Sequence, residues 1–345
     1  MPEDPTSTNL PPGPLEVERT PFGFALRGSP LQLDPRGRPP LGFLSHPRRA
    51  RAQLPERLIA TAGTLSLLES ASPKLLQKTA PLPAGFASPF TLGAHKLTLL
   101  PAGHIRGSAF LHIETDGKRV TYAGDLGGAG SRAPRTAEPR AKIETDVLVL
   151  RATYGHPRYV FPPRAEVLER LLSFVRATLQ DGMTPVLLAA PLGSAQELAL
   201  FLGERGHKLR LHPQIHRAAR AYENLGVSFQ DLELFEGPAG PGEVVIIPHG
   251  SRVGRRGPIG AHRAVLMSGR ALEENAAAQA TVDLALPFSD HAGFDELCAI
   301  AKASGAERIL TLQGHAKELA QALRDRGLNA LELFSEKQLE LPGFA

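Results

Sequence analysis

The sequence has one cysteine, no tryptophan and three methionines, and aromatic residues make up only 6% of it. A lone thiol, Cys298, excludes an intrachain disulfide framework and fits a reducing compartment, so a cytoplasmic location is expected. The shortage of aromatics argues against a binding site built on extensive base stacking, with Tyr154 and Tyr159 as the available contributors. No apolar run approaches the roughly 18 residues that would span a bilayer. The opening MPEDPTSTNLPPGP also lacks the basic start and apolar stretch of a secretory signal, so no membrane partner is expected. No internal repeat or long low-complexity region is visible.

Charge of one sign is not in large excess either. Lys and Arg number 39 against 35 Asp and Glu, a formal net charge of +4, which permits an anionic partner without demanding one. The distribution says more: arginines gather in HPRRAR (residues 46–51) and in GSRVGRRG (residues 250–257), both expected on loops. Either cluster alone reads equally well as solvated loop charge. With 345 residues and 42% hydrophobic content the chain can bury a substantial core, in two domains or in one domain with an insertion.

The prolines up to about Gly13 predict a loose tail over residues 1–13. Short β-type runs follow, among them LQLD, LGFLSH, LIAT, KLTLLPAGH and DVLVLRATYG, and Asp116-Gly117 sits between two alternating apolar runs as a hairpin signal. From about His156 strands alternate with helices. PPRAEVLERLLSFVRATLQDG carries helical spacing after a Pro-Pro start, and the strand-helix-strand order predicts an α/β unit with a parallel sheet. Polar residues close four of the apolar strands: Ser45-His46, His104, Asp125 and Asp290-His291. Imidazoles and carboxylates on separate loops are what a borderline divalent cation requires, although each histidine taken singly is more often an ordinary hydrogen-bonded residue.

Together and in this order, LTLLPAGHIRGSAFLHIE, VTYAGDL, DVLVLRATYG and FSDHAGFDEL resemble the metallo-β-lactamase fold in its β-CASP branch of nucleic-acid-processing hydrolases. The likeness is greatest to ligase-associated DNA exonucleases, also called mRNA 3′-end processing factor-like proteins, and runs from about Val17 to Leu341. The resemblance implies an α/β chain: a metallo-β-lactamase αββα sandwich over residues 14–157 and 275–345, with a β-CASP domain inserted at residues 158–274. It also implies a repair or RNA-processing setting.

The catalytic motifs depart from that family. Its His-x-His-x-Asp-His motif falls on residues 46–51, where only His46 remains; Arg48, Ala50 and Arg51 replace the other members. Arg151 stands where an acidic residue is expected before Thr153-Tyr154-Gly155, and Gln313 stands in place of a late histidine, with His315 two residues beyond. The resemblance thus leaves His46, His104 and Asp125 as a residual metal set for one zinc or manganese ion, with His291 as the acid/base histidine beside Asp125. If Arg48, Arg51 and Arg151 point into one pocket, a dication about 5 Å from each would meet about 6 kcal/mol of repulsion per guanidinium at an effective dielectric of about 20. Such a pocket disfavours a metal cofactor and suits phosphate.

The expectation is therefore a catalytically degenerate β-CASP protein that binds DNA or RNA, or a repair or processing partner, through Arg48, Arg49, Arg51 and Arg151, extended by Arg252, Arg255 and Arg256. Two other readings stay open. One is a single-metal phosphodiesterase using His46, His104, Asp125 and His291. The other is a structural subunit whose basic loops meet an acidic protein.

Overall fold

Asp116 and Gly117 both adopt positive φ, 48° and 74°, the geometry of a two-residue hairpin turn whose twist matches its strands. They join the strands Ala109–Thr115 and Lys118–Gly124, with Thr115 opposite Lys118. The structure, a computed structural model, describes residues 17–128, 137–230, 232–251 and 259–333. The tail 1–13 and Arg252, Arg255 and Arg256 lie outside the described residues.

The hairpin is the middle of a seven-stranded sheet. From one edge it runs Ala330–Glu332, Arg308–Gly314, Val147–Ala152, Lys118–Gly124, Ala109–Thr115, His95–Pro101 and Phe90–Leu92. Successive residues of a strand face opposite sides, and here both sides are covered. Val149 and Leu310 turn toward Leu26, Leu33, Phe43 and Ile59 of a second sheet. Leu148, Leu150 and Ile309 turn toward Phe294, Leu297, Leu319 and Leu323 of the helices Phe294–Ala303 and Ala316–Arg324. Double coverage is why VLVL reads as an unbroken apolar run, each buried side chain contributing about 1.5–3 kcal/mol.

The facing sheet is six-stranded, in the sequence order Val17–Thr20, Gly23–Leu26, Gln32–Leu33, Leu41–Phe43, Arg57–Ala60 and Ala80–Pro83. Its outer side carries Leu58 and Ala60 against Leu68 of the helix Ala62–Ala71. Thr61 caps that helix by accepting from the Thr64 amide at 3.0 Å, and also donates to Gly107 O. The capped helix start is thereby locked to the loop that carries His104.

A third sheet, parallel throughout, has the order Leu232–Leu234, Lys208–Leu211, Glu243–Pro248, Thr184–Ala189, His262–Met267 and Leu284–Leu286. Helix Arg164–Gln180 leads into the sheet from the strand Val147–Ala152, and helices Ser194–Gly203 and Pro213–Asn224 supply crossovers. Val167, Leu171 and Val175 fall on one face of the first of these helices and enter the core beneath the sheet. Leu284–Leu286 lies beyond residue 274, so this sheet takes in a strand that the sequence places in the C-terminal segment. Mixed α/β architecture is thus established.

Candidate functional site

Several strands end on one floor. After Leu41–Phe43 come Ser45 and His46; after His95–Pro101, His104; after Lys118–Gly124, Asp125; after Leu284–Leu286, Asp290 and His291; and Arg151 sits inside Val147–Ala152. Backbone packing there is close. A Cβ on Gly127 would come within 1.9 Å of Gly103 O, and one on Gly314 (φ +57°) within 2.3 Å of Ala152 O, so only glycine allows these loops to approach.

His46, His104 and Asp125 are almost fully buried, and they meet. His46 Nε2 donates to Asp125 Oδ2 at 2.9 Å, and the His46 and His104 rings stand edge to face at 4.6 Å. His46 Nδ1 has no hydrogen-bond partner among the described residues. His291 lies 4.3 Å from His104, ring to ring, and its Nδ1 is 3.4 Å from Asp125 Oδ1. His104 Nδ1 donates to the Asp290 carbonyl at 2.9 Å, which leaves the Nε2 lone pair facing the cleft.

The arginines fill what remains. Pro47–Arg49 forms a single 3-10 turn with proline first, so consecutive side chains diverge by about a third of a turn. Arg48 Nη1 donates to Asp290 Oδ2 at 2.7 Å and lies 3.5 Å from His104 Nε2, while Nη2 lies 3.4 Å from His291 Nε2. Arg49 turns the other way and donates to Asp125 Oδ2 at 3.1 Å. Arg151, its side chain 3% exposed, donates to Gln313 Oε1 and to Tyr122 Oη, and pairs with Asp125 (3.5 Å) and Asp34 (3.7 Å). Arg51 is exposed and outside this group.

Three guanidinium groups (Arg48, Arg49, Arg151) therefore face three carboxylates (Asp34, Asp125, Asp290). The sequence predicts a pocket of net positive charge; the structure balances it, because unpaired charge at this burial would cost several kcal/mol. Asp34 escaped the sequence reading. It closes LQLD, adopts φ 44°, and accepts from Ser45 N, Ser45 Oγ and Tyr122 Oη at 2.7–2.9 Å. A terminal Asp after an apolar strand was the available signal. Asp125 is completed by Thr153 Oγ1 at 2.9 Å, and Asp290 by Ser194 Oγ at 3.2 Å.

Burial acts on these groups in opposite directions. It would by itself raise the Asp125 pKa, but Arg151, His291 and His46 outweigh it and hold the carboxyl well below the usual range. Burial lowers His46 despite Asp125, and lowers His104 further, with His291 adding to the effect. Both imidazoles are thus neutral near pH 7. Among the described residues, the group whose ligand atoms all lie within 4.8 Å of one another is His104, Asp290 and His291. A cavity of about 330 Å³ opens beside His291, walled by Phe161, Pro162, Arg164, Pro287 and Asp295 among others.

Fold and site together define the class: a mixed α/β protein whose strand ends gather histidine, aspartate and arginine on one floor. No family model matches the chain. It is 36% identical over 304 residues, 87% of its length, to a protein named probable DNA ligase from Opitutus terrae, of which the match covers 29%. It is 34% identical over 117 residues, 33% of its length, to an RNase J-like protein from Methanocaldococcus jannaschii, of which the match covers 28%. The matches thus span under a third of either relative. A protein of unknown function from Enterococcus faecalis shares the fold at a TM-score of 0.57 and 13% identity, over 86% of this chain and 79% of that one. The chain belongs to the β-CASP family of metallo-β-lactamase-like proteins and is mRNA 3′-end processing factor-like.

Among the described residues no helix is long and apolar enough to cross a membrane.

Proposed function

We propose that this chain is a β-CASP nuclease-like protein that has given up two-metal hydrolysis and binds nucleic acid within a repair or RNA-processing assembly. The observation that carries the reading is the set of guanidinium groups among the ligand-type side chains: Arg48 against His104, Asp290 and His291, and Arg49 and Arg151 against Asp125. Those side chains do not fit a two-metal centre. The Asp125 oxygens are taken by His46, Arg49 and Thr153, and a dication would sit a few ångströms from fixed positive charge.

On the same reading the first two sheets and their helices are the αββα sandwich. The inserted β-CASP domain is residues 158–274 with the added edge strand Leu284–Leu286. Nucleic-acid backbone meets the arginines that solvent reaches: Arg48, with 31% of its side chain exposed, Arg49 with 17%, and Arg51. Arg151 supports them from within. The expected contribution of Arg252, Arg255 and Arg256 falls outside the described residues.

The test is binding of single- and double-stranded DNA and RNA across a salt series. Replacing Arg48, Arg49 and Arg51 with alanine is expected to weaken binding and to flatten the log–log salt slope by about 0.7–0.9 for each phosphate that is no longer neutralised. Unchanged affinity in that variant, with Arg51→Ala alone also without effect, refutes the cleft as the contact site. Metal analysis with a nuclease assay in manganese or zinc runs beside it. Bound metal, with hydrolysis lost in Asp125→Ala, would favour the single-metal phosphodiesterase built on His46, His104, Asp125 and His291.

A further inference from the structure

We infer that Arg48 is a built-in cation: its guanidinium occupies a preformed transition-metal site made by His104, Asp290 and His291, and removing it opens that site to a divalent ion. The three residues present ligand atoms that all lie within 4.8 Å of one another. The Arg48 guanidinium is the group they surround, 2.7 Å from Asp290 Oδ2, 3.5 Å from His104 Nε2 and 3.4 Å from His291 Nε2.

The surroundings are those of a ligand set. Histidines that hold metals carry their second ring nitrogen on a carbonyl or carboxylate, which fixes the tautomer and the ring plane. His104 Nδ1 is held by the Asp290 carbonyl at 2.9 Å, and His291 Nδ1 lies 3.4 Å from Asp125 Oδ1. Ser194 Oγ donates to Asp290 Oδ2 at 3.2 Å, the oxygen that Arg48 also contacts. Two imidazoles and one carboxylate with open positions suit zinc, cobalt or manganese.

Charge explains why the guanidinium stays. With Arg48 present the cluster has three cations, Arg48, Arg49 and Arg151, against three carboxylates, Asp34, Asp125 and Asp290. Without it, two of these cations face three carboxylates, and Asp290 loses the guanidinium that lies 2.7 Å from its Oδ2. A side chain that cannot lose its proton therefore takes the seat of an ion that can dissociate. The turn Pro47–Arg49, closed by Arg49 N donating to His46 O at 3.0 Å, fixes where that seat is filled.

The inference rests on the reading of the cleft as one without a two-metal centre, and the experiment separates the two. Full-length wild type, Arg48→Ala, Arg48→Lys and the double variant Arg48→Ala/His104→Ala are titrated with Co²⁺, following the visible bands and the metal content after gel filtration. Arg48→Ala is expected to take one Co²⁺ per chain, while wild type and Arg48→Lys, each with a resident cation, take none. The double variant is expected to lose the binding. An Arg48→Ala protein that folds only when Co²⁺ is supplied supports the same conclusion. One that stays metal-free when folded, or unfolded with Co²⁺ present, overturns it and leaves the nucleic-acid reading standing. Equal binding by wild type overturns both.

Discussion

Replacing Arg151 with methionine keeps the bulk of the side chain and removes its charge. In the native protein the Arg151 side chain is 3% exposed, and its guanidinium lies 3.5 Å from Asp125 Oδ1 and 3.7 Å from Asp34 Oδ2, with Tyr122 Oη at 3.3 Å from Nη2. Breaking a buried pair from one side costs about 3–5 kcal/mol, because the remaining charge has neither water nor partner. Here the remaining carboxylates keep other donors: Ser45 and Tyr122 on Asp34, His46, Arg49 and Thr153 on Asp125. A loss near the lower end, about 3 kcal/mol at pH 7, is therefore expected. The pH dependence adds a second criterion. Arg151 leads the charges that hold Asp125 below its usual range, so its contribution is complete above the unfolded carboxyl pKa of about 3.9 and fades as pH falls through the lower folded value. The deficit of the variant should shrink correspondingly in acid. With no tryptophan in the chain, far-UV circular dichroism in urea is the assay. A loss under about 1 kcal/mol, or a deficit that widens in acid, would show that Arg151 is not the charge partner described.

His46 and His104 are both buried with lowered pKa values, so protonation favours the unfolded chain; their contribution is complete above about pH 6.5 and is lost as pH falls, at up to about 1.4 kcal/mol per unit for each. Urea midpoints that stay level between about pH 7 and pH 5.5 would contradict this. Gly107→Ala would place a Cβ 2.5 Å from the Thr64 amide nitrogen at φ +75°, and a destabilisation of about 2–4 kcal/mol in the same assay is expected. EDTA should leave the melting temperature of wild type unchanged to within about 1 °C, since a resident metal would lend stability that chelation removes.

Much of the architecture was legible because it rests on local chemistry. Asp116-Gly117 announced its hairpin, and the Pro-Pro start with helical spacing announced Arg164–Gln180. The strand Ala80–Pro83 escaped because two prolines in four residues deny strand character. It survives as an edge, where Ala80 and Ala84 donate inward to Glu56 and Ala60 while Pro81 and Pro83 present no donors outward. The helix Ala62–Ala71 escaped for another reason. Its start depends on Thr61, whose cap is completed by the distant Gly107.

The sequence by itself determined which residue types stand at the strand ends, and that arginine stands at positions where the family resemblance implies metal ligands. It also determined the family likeness, since motif order along the chain needs no coordinates. Only the tertiary structure decided what those arginines do. Arg48 meets a carboxylate 242 residues away and Arg151 meets Asp34 and Asp125 from other strands, so their charges are matched within the cleft. The physical reason is burial: an unmatched charge is tolerated on a solvated loop and not on this floor. Partners that satisfy that demand come from separate strands, which chain order does not place side by side.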